Sequence, residues 1–301
     1  MKAVQFAEYG GPEVLKLVEV DEPHAGAGQV RIAVRAAGVN GMDWKIRAGY
    51  MSAQMPIPLP SGTGIDAAGV VDEVGDGVSG VAVGDPVFGS GSATLAEYAV
   101  LANWATKPAE LSFEEAAGYP IPVETSIRIL DQLGVQPGET LLVSGASGGV
   151  GSATLQIARD RGITVIGTAS ERNHDYLRSL GAIPTTYGDG LVERVGALAP
   201  DGIDAALDIA GSGVIPELIE LTGDPSKVLS IADFSAPEHG AQVPMSGTGA
   251  AAALAEAARL FSAGKFSIPV EKTFPLEAAA QAQAEGAAGH AAGRIVVTVS
   301  S

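Results

Sequence analysis

The chain of 301 residues contains no cysteine. Disulfide bonds, thiolate catalysis and cysteine-ligated metal sites are therefore excluded, since each of them needs a thiol. Basic residues are also few, with 18 Lys and Arg against 35 Asp and Glu, which gives a formal net charge of −17. Nucleic acids are bound largely through basic side chains on their phosphates, so we do not expect a chain this acidic to bind them.

Long apolar runs are missing as well. No uninterrupted apolar stretch approaches the roughly 18 residues that a membrane-spanning helix needs. The opening MKAVQF is typical of a strand and shows neither the charged nor the apolar region of a signal peptide. These features predict an intracellular, cytoplasmic protein with no membrane partner.

The chain nevertheless has ample material for a buried core. Hydrophobic residues make up 46% of it and charged residues 18%, a balance typical of globular domains. At roughly 150 residues per domain, the length predicts two domains.

The sequence shows two different patterns of predicted secondary structure, one after the other. The first hundred residues read as short strands bounded by Gly and Pro, such as Val30–Ala36. From about residue 114, apolar runs alternate with helical windows, as where Thr140–Ser144 is followed by Gly151–Arg161, which predicts βαβ units around a parallel sheet. The closing stretch loses this alternation, so we expect it to return to the first domain. The predicted domains are residues 1–115 with 265–301, and residues 116–264.

A glycine-rich turn follows the apolar run that ends at Ser144, and a helix begins at once. Glycines let the backbone approach a pyrophosphate, and the helix amino end supplies N–H donors and a favourable dipole. The spacing departs from plain GxGxxG, since Ala146 takes the place of the first glycine. A tight turn without a ligand is the alternative. The predicted cofactor-binding residues are Ala146, Ser147, Gly148, Gly149, Val150 and Gly151.

The end of the next predicted strand indicates which dinucleotide binds. NAD sites place a carboxylate there for the adenosine ribose, whereas NADP sites place cations and hydroxyls for the 2′-phosphate. Ser170 takes the position of the acid, and Arg172 follows with a guanidinium that suits a phosphate. These residues predict NADPH. Glu171 leaves an alternative open, because it could reach the ribose or act as the acidic residue at the start of the next helix.

Two further residues follow later strands of the predicted sheet. Ala210 comes shortly after Asp208, and Ala232 closes another apolar run. Ligands of open parallel sheets bind at the carboxyl ends of the strands, so both alanines are predicted to contact the cofactor.

Several motifs extend over nearly the whole chain in a specific order. They are Ala37–Asp43, Gly64–Val71, Val83–Phe88, the glycine-rich turn and Gly289–Arg294. Together they resemble the medium-chain dehydrogenase/reductase superfamily, in its zinc-independent quinone oxidoreductase branch. The resemblance implies an α/β fold that combines a β-rich, GroES-like catalytic domain with a Rossmann domain, whose parallel sheet is doubly wound.

The resemblance also bears on metal binding. Zinc alcohol dehydrogenases of this superfamily have a ligand Cys where this chain has Asn40, and a His-Glu pair where it has Ile65 and Asp66. Neither Asn40 nor Ile65 is a credible zinc ligand. The four histidines, at positions 24, 174, 239 and 290, show no ligand spacing. We therefore predict no metal site.

Without a metal, the hydride acceptor must already be electrophilic, as quinones and α,β-unsaturated carbonyls are. By the resemblance, Asn40 aligns with an Asn common in quinone reductases and is the first candidate to donate to the carbonyl oxygen. A turn residue is the alternative for Asn40. Lys45 is the second candidate, since related enone reductases carry a similar Asp-aromatic-Lys run. The alternative for Lys45 is a solvated lysine on a short helix.

Three more cofactor contacts come from the resemblance. Thr125 matches a Thr near the nicotinamide, Tyr187 matches a Tyr near the 2′-phosphate, and Arg294 matches the basic residue of the closing motif. A core position for Tyr187 and a structural salt bridge for Arg294 are the alternatives.

These features predict an NADPH-dependent oxidoreductase that transfers a hydride to a quinone or an α,β-unsaturated carbonyl. One alternative is an enoyl-type reductase of a biosynthetic pathway, and another is a catalytically silent NADPH-binding or sensing protein. The expected partner is a small electrophilic carbonyl compound, and the expected assembly is a homodimer.

Overall fold

The structure, a computed structural model, describes residues 1–53, 56–245, 249–289 and 291–300. Contacts divide the chain into two compact units. The β-rich unit consists of Met1–Ile121 and Gly249–Ser301, and the parallel-sheet unit consists of Pro122–Thr248. Across the described ranges, we find no helix long and apolar enough to span a lipid bilayer.

Strands occur in both units. In chain order they are β1 (Lys2–Phe6), β2 (Lys16–Glu19), β3 (Val30–Gly38), β4 (Ser61–Gly62), β5 (Asp66–Val74), β6 (Pro86–Ser92), β7 (Tyr98–Thr106), β8 (Thr140–Ser144), β9 (Thr164–Thr168), β10 (Ile183–Thr185), β11 (Ala205–Asp208), β12 (Val228–Ser230), β13 (Val270–Pro275) and β14 (Arg294–Thr298).

Helices are concentrated between and after the parallel strands. They are α1 (Gly41–Arg47), α2 (Phe113–Ala117), α3 (Pro120–Leu133), α4 (Gly149–Asp160), α5 (His174–Ser179), α6 (Leu191–Leu198), α7 (Ile215–Thr222), α8 (Ala250–Ser262) and α9 (Ala279–Ala288).

The β-rich unit is built around a six-stranded sheet in the order β13-β14-β3-β5-β6-β7, and β3 also pairs with β7, which closes part of the sheet on itself. The strand predicted at Val30–Ala36 lies within β3, where Val30, Ile32 and Val34 are buried and the residues between them are partly exposed. This period of two is what a strand with one face on a core requires. A three-stranded sheet, β2-β1-β4, accompanies it.

The parallel-sheet unit has five strands in the order β10-β9-β8-β11-β12, and all neighbours are parallel. The strands are short buried runs, such as Leu141–Val143, because helices cover both faces of such a sheet. The order reverses between β8 and β11, and ligands of doubly wound sheets bind at such a switch point. The α/β fold class predicted from sequence, a GroES-like β-rich domain with a Rossmann domain, is confirmed.

Both domain boundaries differ from the sequence-based expectation, since the first lies after Ile121 and the second before Gly249. Helix α8 falls in the β-rich unit, whereas residues 116–264 were assigned to the dinucleotide-binding domain. The helix packs against β7 and buries Ala253, Leu254, Ala257 and Leu260. Its helical period is visible in the sequence, but which sheet receives its apolar face is a property of the tertiary structure.

Candidate functional site

The glycine-rich turn lies at the switch point of the parallel sheet, directly after β8. Gly145 has a φ of +84°, which an L side chain rarely adopts. At Gly151 a Cβ would lie 2.6 Å from the carbonyl oxygen of Ala146, so only glycine lets α4 approach the turn this closely. At Gly148, among the described atoms, a Cβ would meet only the Gly145 carbonyl oxygen, at 3.9 Å. One glycine therefore makes the turn, another packs the helix, and Gly148 lies open.

The amino end of α4 suits an anion. Within the described part of the chain, no side chain caps this end, where Gly148 precedes Gly149 and Val150. The first N–H groups of a helix lack partners inside the helix and favour a negative charge. Ser147 adjoins them, and its Oγ accepts a hydrogen bond from Asn173 Nδ2 at 3.2 Å. The residues present therefore fit the pyrophosphate of a dinucleotide.

Ala146 is not open to a ligand in the way that Gly148 is. It is fully buried, and its N–H donates to the carbonyl oxygen of Thr168 at 3.0 Å. The sharp backbone turn belongs to Gly145, one residue earlier than the substitution that stood out in the sequence. A direct contact between the Ala146 side chain and the cofactor is therefore disfavoured by its burial, while the open residues of the turn retain the predicted role.

The residues that were predicted to read the adenosine ribose follow β9. Ser170 is half-buried, and Glu171 and Arg172 are exposed in a short 3₁₀ turn. Both charged side chains are therefore accessible to a ligand, which leaves the alternative of Glu171 open. Tyr187 is 61% exposed, so it is not a core residue. Thr125 is buried, within α3.

The loops after β8, β11 and β12 lie against one another. A Cβ on Gly145 would approach the amide nitrogen of Ala210 at 3.1 Å, and a Cβ on Gly211 would approach the Cβ of Ala232 at 2.9 Å. The structure thus brings Ala210 together with the glycine-rich turn at one edge of the sheet and places Ala232 beside the next loop. This arrangement follows from the strand order, which the alternating sequence pattern alone did not establish.

A second polar cluster lies inside the β-rich unit, around Asn40. The Asn40 Nδ2 donates to Asp66 Oδ2 at 2.9 Å, and Asn40 Oδ1 accepts from Arg294 Nη2 at 2.8 Å. The same guanidinium nitrogen is 3.5 Å from Asp66 Oδ2. Asp66 also accepts the N–H of Ile121. The amide of Asn40 is therefore fixed on both sides by a buried pair of opposite charges.

Asp43 fixes the backbone of Asn40. Its Oδ2 accepts the Asn40 N–H at 2.7 Å. The pKa of Asp43 is raised to about 7, mainly by burial and also by the nearby Asp66, although the Asn40 N–H and Arg294 lower it. Among the described residues, Asp43 Oδ1 is buried with no hydrogen-bond partner. A carboxylate left this short of donors is disfavoured relative to its protonated form.

Lys45 lies elsewhere on the same short helix. Its Nζ is 5.6 Å from the centre of the Trp44 ring, a cation–π contact. Asp43 and Arg47 are buried, whereas Lys45, two residues from each, is partly exposed. Successive positions two apart in a helix face nearly opposite ways. The structure therefore does not gather Lys45 into the cluster around Asn40.

Arg294 was predicted to contact the cofactor, with a structural salt bridge as the alternative. The structure shows the salt bridge, because the Arg294 side chain is only 7% exposed and pairs with Asp66. The role of Asp66 was missed, although the motif that contains it was noted. The signal that could have revealed it is an acidic residue at the start of β5, directly before five small apolar residues.

The cluster does not fit a zinc ion. The Arg294 guanidinium already neutralises Asp66 and occupies the amide oxygen of Asn40, and a fixed positive charge there disfavours a divalent cation. Within the described ranges, no group of three or more His, Asp or Glu side chains could hold a metal. His290, one of the four histidines considered above, lies outside the described residues.

Two family models match this chain. One, described as the alcohol dehydrogenase GroES-like domain, matches residues 26–109. The other, described as zinc-binding dehydrogenase, matches residues 183–297. The fold and these matches define a dehydrogenase-like chain of two domains, one of them GroES-like.

Individual relatives refine this class. A chloroplastic quinone oxidoreductase of Triphysaria versicolor is 32% identical over 99% of this chain and 98% of its own length. The quinone oxidoreductase of Rattus norvegicus is 39% identical over 65% of each chain. A 2-methylene-furan-3-one reductase of Solanum lycopersicum is 37% identical over 71% of this chain and 58% of its own length. For several curated relatives, among them those of Rattus norvegicus and Solanum lycopersicum, this chain spans about half to two thirds of their length.

Solved structures that are similar to this chain also include a quinone oxidoreductase. The quinone oxidoreductase from Coxiella burnetii has a TM-score of 0.86 and 30% identity over 100% of this chain and 99% of its own. A mycobacterial protein solved in complex with NADPH has a TM-score of 0.85 and 25% identity over 99% of this chain and 100% of its own. The chain belongs to the medium-chain dehydrogenase/reductase superfamily, in the branch that contains the quinone oxidoreductases.

Proposed function

We propose that the protein is an NADPH-dependent reductase that transfers a hydride to a quinone or an α,β-unsaturated carbonyl. The observation that carries this proposal is the amide of Asn40, held between Asp66 and Arg294 where zinc-dependent relatives have a metal ligand. The names of the relatives, which include quinone oxidoreductases and a reductase of a furanone, support the same substrate class.

The cofactor is assigned to the parallel-sheet unit. The open backbone at Gly148 and the uncapped start of α4 suit the pyrophosphate. The exposed Arg172 suits a 2′-phosphate, which favours NADPH over NADH. The NADPH complex of a structural neighbour is consistent with this choice.

The electrostatics around Asn40 suit a developing negative charge. Arg294 withdraws electron density through the amide oxygen, and this polarises the amide N–H bonds. One N–H is used by Asp66, which leaves the second N–H of Nδ2 as a preorganised donor for the carbonyl oxygen of the substrate. When bound, the reduced nicotinamide supplies the hydride, and a proton from solvent or a nearby group completes the reduction.

The test follows the absorbance of NADPH and NADH in the presence of quinones, enones and enoyl thioesters. We expect turnover with NADPH and a quinone or enone. Removing a preorganised donor reduces the rate by about a hundred- to a thousandfold, so Asn40→Leu is expected to show that loss. Lys45→Met removes the charge of the second candidate while keeping its bulk.

The possible outcomes of this test distinguish between the candidate functions. Turnover only with a thioester would favour the enoyl reductase alternative, and NADPH binding without any turnover would favour a binding or sensing protein. If both variants turn over within twofold of the parent, the assignment of Asn40 and Lys45 is wrong. The homodimer stays a prediction, which sedimentation of the purified protein would test.

A further inference from the structure

The last residue of every strand in the parallel sheet is polar and buried. Backbone pairing places these residues side by side across the sheet. We call this set the polar row, and in spatial order it consists of Thr185, Thr168, Ser144, Asp208 and Ser230. Buried polar side chains need hydrogen-bond partners, and those of the polar row find several of them in the loops that follow the strands.

Asp208 is fully buried at the end of β11 and binds its own loop. Its Oδ1 accepts the N–H of Ala210 at 3.2 Å and the N–H of Gly211 at 2.9 Å. Its Oδ2 accepts the hydroxyl of Ser230, on the neighbouring strand, at 2.7 Å. A buried carboxylate with three such donors is well satisfied.

Ser230 extends the same network to the next loop. While its hydroxyl donates to Asp208, its Oγ accepts the N–H of Ala232 at 3.1 Å and the N–H of Asp233 at 2.9 Å. One carboxylate therefore orders two loops, the first directly and the second through a serine. The loop after β11 borders the glycine-rich turn at Ala210, and its Gly211 lies against Ala232 in the loop after β12.

We infer that Asp208 and Ser230 are positioning residues for the dinucleotide, an inference that rests on the proposed function. Four backbone N–H groups of the two loops are directed at this pair and are thereby withdrawn from any ligand. The loops consequently present a fixed backbone outline at the switch point, where a dinucleotide binds in doubly wound sheets. Loosening the pair widens the range of loop conformations, so binding must order them again.

The sharpest test compares two variants of equal shape. Ser230→Thr keeps the hydroxyl, and Ser230→Val replaces it with a methyl group, so the added bulk is the same in both. We expect Ser230→Val to raise the dissociation constant for NADPH about five- to tenfold relative to Ser230→Thr, as measured by titration calorimetry. Amide hydrogen exchange at Ala232 and Asp233 is expected to accelerate in the valine variant alone.

A matched control lies at the opposite edge of the sheet. Asp204 Oδ2 accepts the N–H of Thr140 at 2.8 Å, so it also ties a loop carboxylate to a strand, but at the amino end of β8 and β11. Asp204→Asn is expected to leave the dissociation constant for NADPH unchanged. If Ser230→Val does not fold, Ser230→Ala removes the same hydroxyl without added bulk and is compared with the parent.

Equal dissociation constants for the threonine and valine variants would overturn the inference, as would an equal weakening by Asp204→Asn. Binding of the cofactor without turnover leaves this test intact. Failure of the cofactor assignment looks different, because the parent itself would then bind neither NADPH nor NADH. In that case the exchange rates still show whether the pair orders the two loops, and unchanged rates would reject even this part.

Discussion

The two candidate regions rely on different chemical groups, backbone in one and charged side chains in the other. In the parallel-sheet unit, the glycine-rich turn offers backbone groups from consecutive residues, and its shape depends on missing side chains. In the β-rich unit, the cluster around Asn40 depends on charged side chains from positions 66 and 294, far apart in the sequence. The first region should therefore be sensitive to added volume, and the second to the loss of one charge.

The largest effect is expected from Arg294→Met. This change leaves the fully buried Asp66 without its guanidinium partner, and breaking a buried pair in this way destabilises a protein by about 3–5 kcal/mol. Urea unfolding measures the loss. The double variant Asp66→Asn with Arg294→Met is the control, since it removes both charges and should recover much of the stability. No recovery would show that Arg294 acts through packing rather than charge.

Arg172→Ala tests the exposed part of the cofactor region. A charge-assisted contact with the 2′-phosphate contributes roughly 1.5–3 kcal/mol, so the preference for NADPH over NADH should fall by about ten- to a hundredfold. Steady-state kinetics with both cofactors measure this preference. The kinetics with NADH should change little, and equal losses with both cofactors would indicate a structural role. If the parent prefers NADH, Glu171 rather than Arg172 would be the residue that selects the cofactor.

Two glycines of the same turn are expected to respond differently to alanine. Gly151→Ala places a Cβ against the carbonyl of Ala146, and such overpacking costs about 1–3 kcal/mol in the free energy of unfolding. Gly148→Ala meets open space and should leave that free energy within about 0.5 kcal/mol, while cofactor binding weakens. Thermal unfolding and cofactor titration distinguish these effects. Similar destabilisation of both variants would contradict the division of roles.

Asp43→Asn addresses the pH dependence of the charged region. Because burial raises the pKa of Asp43 from 3.8 to about 7, the folded chain keeps a proton that the unfolded chain releases above pH 4. This carboxyl therefore favours the folded state at low pH, and the contribution is lost as the pH rises to about 7. Relative to Asp43→Asn, the parent should lose about 1 kcal/mol per pH unit over this window. If the free energies of unfolding of the two proteins change equally with pH over this window, the prediction is wrong.

Much of the fold could be predicted from local pattern. The alternation of apolar runs and helical windows predicted the parallel sheet, which the structure contains. The glycine-rich turn was recognised because its chemistry is contained in consecutive residues. Lys45 and Arg294 were harder, since a charged residue in a motif does not reveal which way its side chain points. Helical geometry separated Lys45 from the cluster, and a partner 228 positions away in the sequence fixed Arg294.

The sequence by itself determined the α/β class, the family resemblance and the turn that suits a dinucleotide, because period, glycine spacing and missing cysteines are local properties. Only the tertiary structure decided that Asp66 and Arg294 hold the amide of Asn40. It likewise decided that Asp208 and Ser230 tie two loops together across neighbouring strands. The physical reason is that buried polar groups must find partners, and strand order and register choose which distant residues those partners are.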